Sequence, residues 1–348
     1  VEQSRRSATL RDVAEVAGLS VASVSYALRG LQTSADTQAR VRRIADELGY
    51  RTDPIARALS SGRSGTVGIV MATLEDLWMQ RVAAGISRAL LRRGLFALLV
   101  DAGADPAQEH ALAERLVDQR VDALVVSPID PSATEWGDLA RRVPIVAVGD
   151  SLPGAPGAGE VLFDNRAGVT QVLEHLAGYG HRRVALITTG RPTTPDRPAE
   201  QHASLEAERL GMILEVVFTE PHLAAAAAAV GRVLTCGPAT ARPTALFGLS
   251  DSLAHGCYQA VQTLGWSIPD TLSVVGFDDQ PVSALLHPPL TTVGWDEPTL
   301  TDGVAGAVAA ALVQPPAAAD GVPAARDRVR LVLAPQLLLR GSVGPPPD

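Results

Sequence analysis

Two hydrophobic rhythms divide the chain. In the first part, apolar positions recur at three- and four-residue spacing within short segments. Leu10, Val13, Ala14 and Ala17 fall at i, i+3, i+4 and i+7 and mark one face of a helix. Gly18-Leu19-Ser20 interrupts it, with Gly18 permitting a turn and Ser20 placed to cap a second helix from about Val21 to Leu28. On that helix Val24 and Leu28 point inward, which leaves Val21, Ala22, Ser25, Tyr26 and Arg29 on the opposite face. Thr33 and Ser34 are candidate caps for a third helix with the stripe Val41, Ile44, Ala45 and Leu48, ended by Gly49. Each helix is too short to persist alone, so the three must pack together. Two helices joined by a tight turn, the second exposing small and hydrogen-bonding side chains, fit a helix-turn-helix whose second helix enters a DNA major groove; a plain three-helix packing module is the alternative.

From Thr66 onward short apolar runs alternate with amphipathic helices, the pattern of a parallel sheet covered on both faces. The runs are Val67–Ala72, Phe96–Asp101, Ala123–Ser127 and Ile145–Val148, then Val184–Thr188, Leu214–Phe218, Ala245–Leu249 and Ser273–Phe277. Two sets of four imply two doubly wound lobes, with a ligand expected at the carboxyl ends of the strands, in the cleft between them. Segments 151–160, 190–200 and 314–327 are rich in Pro, Gly and Ala and read as surface loops. The expected organisation is a headpiece over 1–50, a hinge and linker over 51–65, a two-lobed domain over 66–340 and a disordered Pro-rich tail over 341–348.

Composition narrows the class. Of 348 residues 46% are hydrophobic and 20% charged, enough to bury a sizeable interior. No uninterrupted apolar run reaches the ~18 residues of a membrane span, and the polar start of the chain is unlike a secretion signal, so a cytoplasmic location is expected and no membrane partner. Cys236 and Cys257 are read as reduced thiols, without the spacing of a zinc site or a disulfide framework, and no metal or cofactor is expected. The net charge of −8 is unevenly spread: residues 1–63 sum to +3 and the remainder to −11. Basic character is confined to the end that carries the helix-turn-helix pattern.

The literal residues sharpen this picture. Thr9-Leu10-Arg11-Asp12-Val13-Ala14-Glu15-Val16-Ala17-Gly18-Leu19-Ser20-Val21-Ala22-Ser23-Val24-Ser25 closely resembles the N-terminal signature of the LacI/GalR family of bacterial regulators. Similar stretches follow at family spacing: Glu47-Leu48-Gly49-Tyr50, Ala56-Arg57-Ala58-Leu59, Asp164-Asn165-Arg166-Ala167-Gly168, Glu174-His175-Leu176, Gly180-His181-Arg182-Arg183, Ser273-Val274-Val275-Gly276-Phe277-Asp278-Asp279 and Pro288-Pro289-Leu290-Thr291-Thr292-Val293. The resemblance implies an α/β chain with a three-helix headpiece, a hinge helix and a type I periplasmic-binding-protein-like domain of two doubly wound parallel sheets. It further implies a homodimeric repressor on pseudo-palindromic operator DNA, governed by a small effector of carbohydrate type, acting in the cytoplasm on the nucleoid.

Carried over position by position, the resemblance implies base reading by Val21, Ala22 and Tyr26, with Arg29 on the same face. Val21 and Ala22 suit thymine methyls and Tyr26 offers one hydroxyl, so the Arg-to-guanine contact is missing. Thr9, Ser20, Ser23 and Ser25 match phosphate-contacting positions, and Thr9 and Ser20 also read as helix caps. In the hinge, Asp53-Pro54 is a good helix start; Leu59 matches the residue that wedges into the minor groove, with Ala56 beside it. Thr52-Asp53 departs from the family's Pro-Asn and places a carboxylate near phosphates.

In the large domain Arg197 and Asp278 match effector-bonding positions, and Trp78 matches a cleft aromatic. Thr73 stands where an acid is common, Ala199 replaces a second Arg, Ser250 replaces the Asn before Asp251, and Trp295 replaces a polar residue. With Asp251 also placed among the effector-binding positions, these imply a sugar-like ligand without the usual hexose pattern. Two rivals share the architecture: a solute-binding or sensor protein, and an enzyme acting on sugars or nucleotides. The DNA-reading module opposes the first. For the second, the sequence has no Gly-rich phosphate loop, nucleophile elbow or metal-ligand cluster, and the adjacent Asp278 and Asp279 point to opposite faces, so no catalytic residues are assigned.

Overall fold

A computed structural model describes residues 8–28, 30–51, 62–189, 199–236, 238–313 and 328–347. The chain divides into two compact units at Ser64/Gly65. The expected hinge helix with Asp53, Ala56 and Leu59, the position Arg29, the effector position Arg197 and the loop 314–327 lie outside the described residues.

The first unit packs α1 (Leu10–Ala17), α2 (Val21–Leu28) and α3 (Ala35–Glu47) around one small core. Val13, Ala14 and Ala17 meet Val24 and Ala27 of α2 and Val41, Ile44 and Ala45 of α3. Ala27, which the periodicity did not single out, is wholly buried, whereas Leu48 is largely exposed. Each helix start is fixed locally. Thr9 and Asp12 form a reciprocal capping box on α1, and Ser34 caps α3. The α1–α2 turn runs through Gly18 at φ +63°, a left-handed conformation that a side chain would strain.

The second unit holds two six-stranded sheets. Lobe 1 contains β1 (Thr66–Met71), α4 (Leu77–Arg92), β2 (Phe96–Asp101), α5 (Pro106–Asp118), β3 (Ala123–Val126), α6 (Glu135–Arg142), β4 (Ile145–Gly149) and β5 (Gly159–Phe163). Lobe 2 contains α7 (Asn165–Tyr179), β6 (Arg183–Thr188), α8 (Ala199–Arg209), β7 (Ile213–Phe218), α9 (Leu223–Thr235), β8 (Ala245–Gly248), α10 (Asp251–Thr263), β9 (Ser273–Phe277) and β10 (Thr291–Gly294). The chain then returns to lobe 1 as α11 (Glu297–Val313) and β11 (Arg330–Leu333), and ends in lobe 2 with β12 (Gln336–Leu338). The sheet orders are β11-β5-β4-β3-β1-β2 and β12-β10-β9-β8-β6-β7, parallel throughout except for the antiparallel β10/β12 pair. In each, the order reverses beside the first strand, which opens a crevice at the strand carboxyl ends.

All eight apolar runs form strands, yet each sheet gains two more. β5 begins inside the stretch expected to be loop, because its leading Gly159-Glu160 disguises it. Glu160 is nevertheless interior: its buried carboxylate accepts from Arg330 at 2.8 Å and from Arg328 at 3.4 Å, which offsets the desolvation of the charge.

The expected disordered tail is another correction. Ser342 is fully buried; it donates to Val274 O at 2.6 Å and accepts from Thr291 N at 2.8 Å. Gly344 N donates to Ser273 Oγ, and the Gly344 carbonyl faces His181 Nε2 at 3.0 Å. A carbonyl can only accept, so Nε2 carries the proton and Nδ1 is left to accept from Thr244 Oγ1 at 2.8 Å. Residues 341–344 are thus bound to the lobe 2 sheet through the Ser342 hydroxyl and the main chain of Gly341, Ser342 and Gly344.

Burial holds the His181 pKa below its ordinary 6.5, and desolvation acts on His175 and His255 in the same direction. The unfolded chain therefore binds more protons than the folded one below that value, and stability must fall as pH drops. Urea unfolding followed between about pH 7.5 and 6 is expected to lose stability toward the acid end, with a slope of up to ~1.4 kcal/mol per pH unit for each such histidine. Because the raised carboxyls of Asp278 and Asp251 act in the opposite direction, the His181 part is read as the difference in slope between wild type and His181→Gln, and an identical slope in the two contradicts the neutral burial of His181.

Candidate nucleic-acid interface and ligand cleft

On the first unit, α2 turns one face outward. Val21 and Tyr26 on that face are 42% and 38% exposed. Ala22 is exposed beside them, and Ser23 and Ser25 are half-buried. Ser20 Oγ accepts from Ser23 N at 3.1 Å and shares a hydrogen bond with Ser23 Oγ at 2.8 Å, so both hydroxyls sit at the helix start, where backbone N–H groups favour anions. Thr9 is more committed. Its amide and its hydroxyl both donate to Asp12 Oδ2, at 2.7 and 2.8 Å, and a phosphate contact through that hydroxyl must displace the second bond.

In the second unit, a cavity of about 360 Å³ lies between the lobes, lined by the ends of β1, β3, β4, β5, β6, β8 and β9. Five of the sequence-expected residues meet there: Thr73, Trp78, Ser250, Asp278 and Trp295. Phe163 ends β5 and Trp295 follows β10, so both lie where the chain crosses between lobes. Their rings are 4.8 Å apart, with Trp78 5.3 Å from Phe163 and Phe277 5.8 Å from Trp295, and this aromatic floor is shared by both lobe cores.

Asp278 faces the cleft from a left-handed backbone conformation, φ +101°, a cost that persists only where its surroundings impose it. Its amide donates to Val293 O at 2.7 Å. Burial first, then the charges of Asp76 and Asp251, raise its carboxyl well above the ordinary range; a hydrogen bond from Trp295 partly opposes them. A shift in this direction favours the protonated carboxyl, which can donate as well as accept and so suits a hydroxyl-bearing ligand.

Asp251 does not belong to the cleft. Its carboxylate is fully buried and accepts from Gln280 N at 2.7 Å and from the Ser283 and Thr292 hydroxyls, each at 2.5 Å. It enters the space left by Gly276, where an added Cβ would lie 2.2 Å from Asp251 Oδ1. The expectation of an effector contact there is corrected: the residue is an internal acceptor tying α10 to the loop after β9. Other cleft residues escaped the sequence reading, among them Asp76, Ser127, Phe163, Asn165 and Glu200. Asp76 had a usable signal, an Asp in capping position before Leu77-Trp78; Phe163 had little, since its strand was itself unread.

Residues 9–53 match the family model of bacterial regulatory proteins, lacI family, and residues 173–343 match that of the periplasmic binding protein-like domain. Over 358 aligned positions, covering 97% of each chain, the sequence is 31% identical to the HTH-type transcriptional regulator MalR of Streptomyces coelicolor. The chain belongs to the LacI family of bacterial regulatory proteins. It is a DNA-binding transcription regulator with a small-molecule-binding domain. This LacI-family chain is also 26% identical to the ribose operon repressor of Haemophilus influenzae, over 82% of its own length and 86% of that protein's. In fold it is similar to the lac repressor dimer bound to operator and the anti-inducer ONPF, with a TM-score of 0.82 at 21% identity over 97% of this chain and all of that one. A LacI transcriptional regulator from a Rhodococcus species aligns with a TM-score of 0.69 at 26% identity, over 81% of this chain and all of that one.

Two outcomes test the internal role of Asp251. Asp251→Ala strands one amide and two hydroxyls and is expected to cost the larger unit about 2–4 kcal/mol in urea unfolding. Asp251→Asn costs less, because a rotated Thr292 hydroxyl can accept from the new amide. Desolvation raises the Asp251 pKa to about 6, so the folded state holds the extra proton and stability is lost as pH rises from about 4 through 6; that component disappears in Asp251→Asn.

Proposed function

We propose that this protein is a repressor whose grip on a pseudo-palindromic operator is set by a carbohydrate-like effector bound between the two lobes. The observation that carries this reading is the cleft itself. An indole-rich floor offers flat apolar faces to a sugar ring, while Asp278, Asn165, Ser127 and Thr73 supply donors and acceptors around it. Solved relatives support the same reading: one is a complex of the transcriptional regulator CelR with cellobiose, similar with a TM-score of 0.65, and another a LacI-family regulator with bound ribose, at 0.68. Arg197 is assigned to the same ligand by family position alone.

Base reading is assigned to Val21, Ala22 and Tyr26, phosphate contact to Thr9, Ser20, Ser23 and Ser25, and the further DNA contacts to Arg29, Ala56 and Leu59. The protein acts as a homodimer, since one headpiece spans too few base pairs for useful specificity. Apolar side chains left exposed along the edge strands support this: Phe96, Leu98 and Leu99 on β2, Ile213 and Phe218 on β7. It works in the cytoplasm, on the nucleoid, and binds its effector without turning it over. The operator-reading module extends over 1–50 and the hinge over 51–65; the ligand-binding domain follows.

Two measurements test the reading. Fluorescence anisotropy with a labelled operator panel is expected to show Tyr26→Ala relaxing preference by about 1–3 kcal/mol at one base position, and Ser20→Ala weakening all sequences alike. An unchanged operator ranking in Tyr26→Ala removes that side chain from base reading. A thermal-shift screen of mono- and disaccharides is expected to yield a ligand that at 100 times its Kd stabilises the wild type by about 2.7 kcal/mol. Trp295→Ala is expected to lose that shift, and a shift retained in full places the ligand elsewhere.

A further inference from the structure

One side chain joins the lobes by hydrogen bonds of its own. Asp76 is the N-cap of α4 in lobe 1, where its Oδ1 accepts from Trp78 N at 2.9 Å and Met79 N at 3.1 Å. Its Oδ2 accepts from lobe 2: from Ser252 Oγ in the first turn of α10 at 2.9 Å, and from Gln280 Nε2 at 3.2 Å. Gln280 Nε2 also donates to Ser252 Oγ at 2.9 Å, closing a ring of three side chains. Gln280 is buried and its own amide is held by Asp251, so the lobe 2 half of the ring is fixed in place. One turn along α4, Arg81 donates to the Asp279 carbonyl at 3.0 Å while paired with Glu297.

We infer that Asp76 is a clasp, a positioning residue that sets the angle between the lobes and links it to what occupies the cleft. Asp76 and Ser252 both line the cavity, as do Trp78 and Met79, the residues whose amides Asp76 holds. One carboxylate therefore fixes the start of a helix, a wall of the cavity and the position of the opposite lobe. Separating the lobes strips Oδ2 of two donors while leaving Oδ1 occupied. A ligand hydroxyl that donates to Oδ2 replaces Ser252 and releases the clasp; a ligand that leaves Oδ2 alone lets it stay shut. That difference in contact is what a ligand needs to favour one lobe arrangement over the other.

The cap and the clasp can be separated by substitution. Serine is as good an N-cap as aspartate but too short to reach across, so Asp76→Ser retains α4 and loses the bridge. Ser252→Ala removes a donor from the other side. Lobe separation is read by single-molecule energy transfer between dyes on Ala107→Cys and Ala224→Cys, at opposite lips of the cleft, in the full chain with Cys236→Ser and without ligand or DNA. Each clasp variant is expected to raise the open-to-closed ratio roughly fivefold, the size of one such bond, and the double variant to exceed the singles by little. Distance distributions matching the wild type in both variants, or full additivity in the double variant, overturn the clasp. If Asp76→Ser does not fold, Asp76→Thr, another short N-cap, takes its place in the cycle. The readout needs no operator, so failure to bind DNA bears only on the regulator reading, and unchanged lobe distances bear only on the clasp.

Discussion

The architecture of the larger unit depends on an aromatic stack placed where the chain passes between lobes. Phe163 and Trp295 each belong to a crossing segment, and Trp295 packs against the cores of both sheets. One ring system therefore closes both cores and floors the cleft, so a molecule lying on Trp295 touches atoms against which each lobe packs.

Beside that stack the charges are arranged against one another. Asp76, Asp251 and Asp278 approach closely enough to raise one carboxyl, and each carries a different duty: Asp251 is saturated by three internal donors, Asp76 is divided between two lobes, and Asp278 is left facing the cleft. The glycine at 276 is what permits this crowding, since any Cβ there would displace the Asp251 carboxylate. Two acids otherwise interchangeable in composition are thus separated into one saturated by internal donors and one that faces the cleft.

Much of this was legible in the residues. The helix periodicity, the turn at Gly18 and the caps at Thr9, Ser20 and Ser34 are local effects, and local effects are written in adjacent letters. Six of the eight strands read are inner ones, legible because strands buried on both faces must be continuously apolar, while β2 and β7 were legible because these edge strands carry apolar side chains even where they are exposed. What escaped was set by distant partners. β5 starts with a buried glutamate that is tolerable only because Arg328 and Arg330 arrive some 170 residues later. The segment after Gly341 looks disordered until His181 and Ser273 are seen to receive its backbone. Asp251 resembled a ligand contact by position, and only the three donors converging on it from elsewhere in lobe 2 reveal it as internal.

The crossing pattern also bears on how the protein comes into being. Lobe 1 is made first but lacks α11 and β11 until all of the lobe 2 strands from β6 to β10 have been synthesised, and its core residues Val82, Ile86 and Leu90 pack in one cluster with Leu300, Val304 and Val308 of α11. On the ribosome the earlier lobe must therefore wait with one sheet face covered by α4 but not yet by α11, while the later lobe gathers most of its elements in one uninterrupted stretch, so an incomplete apolar core is exposed for the time it takes to make lobe 2.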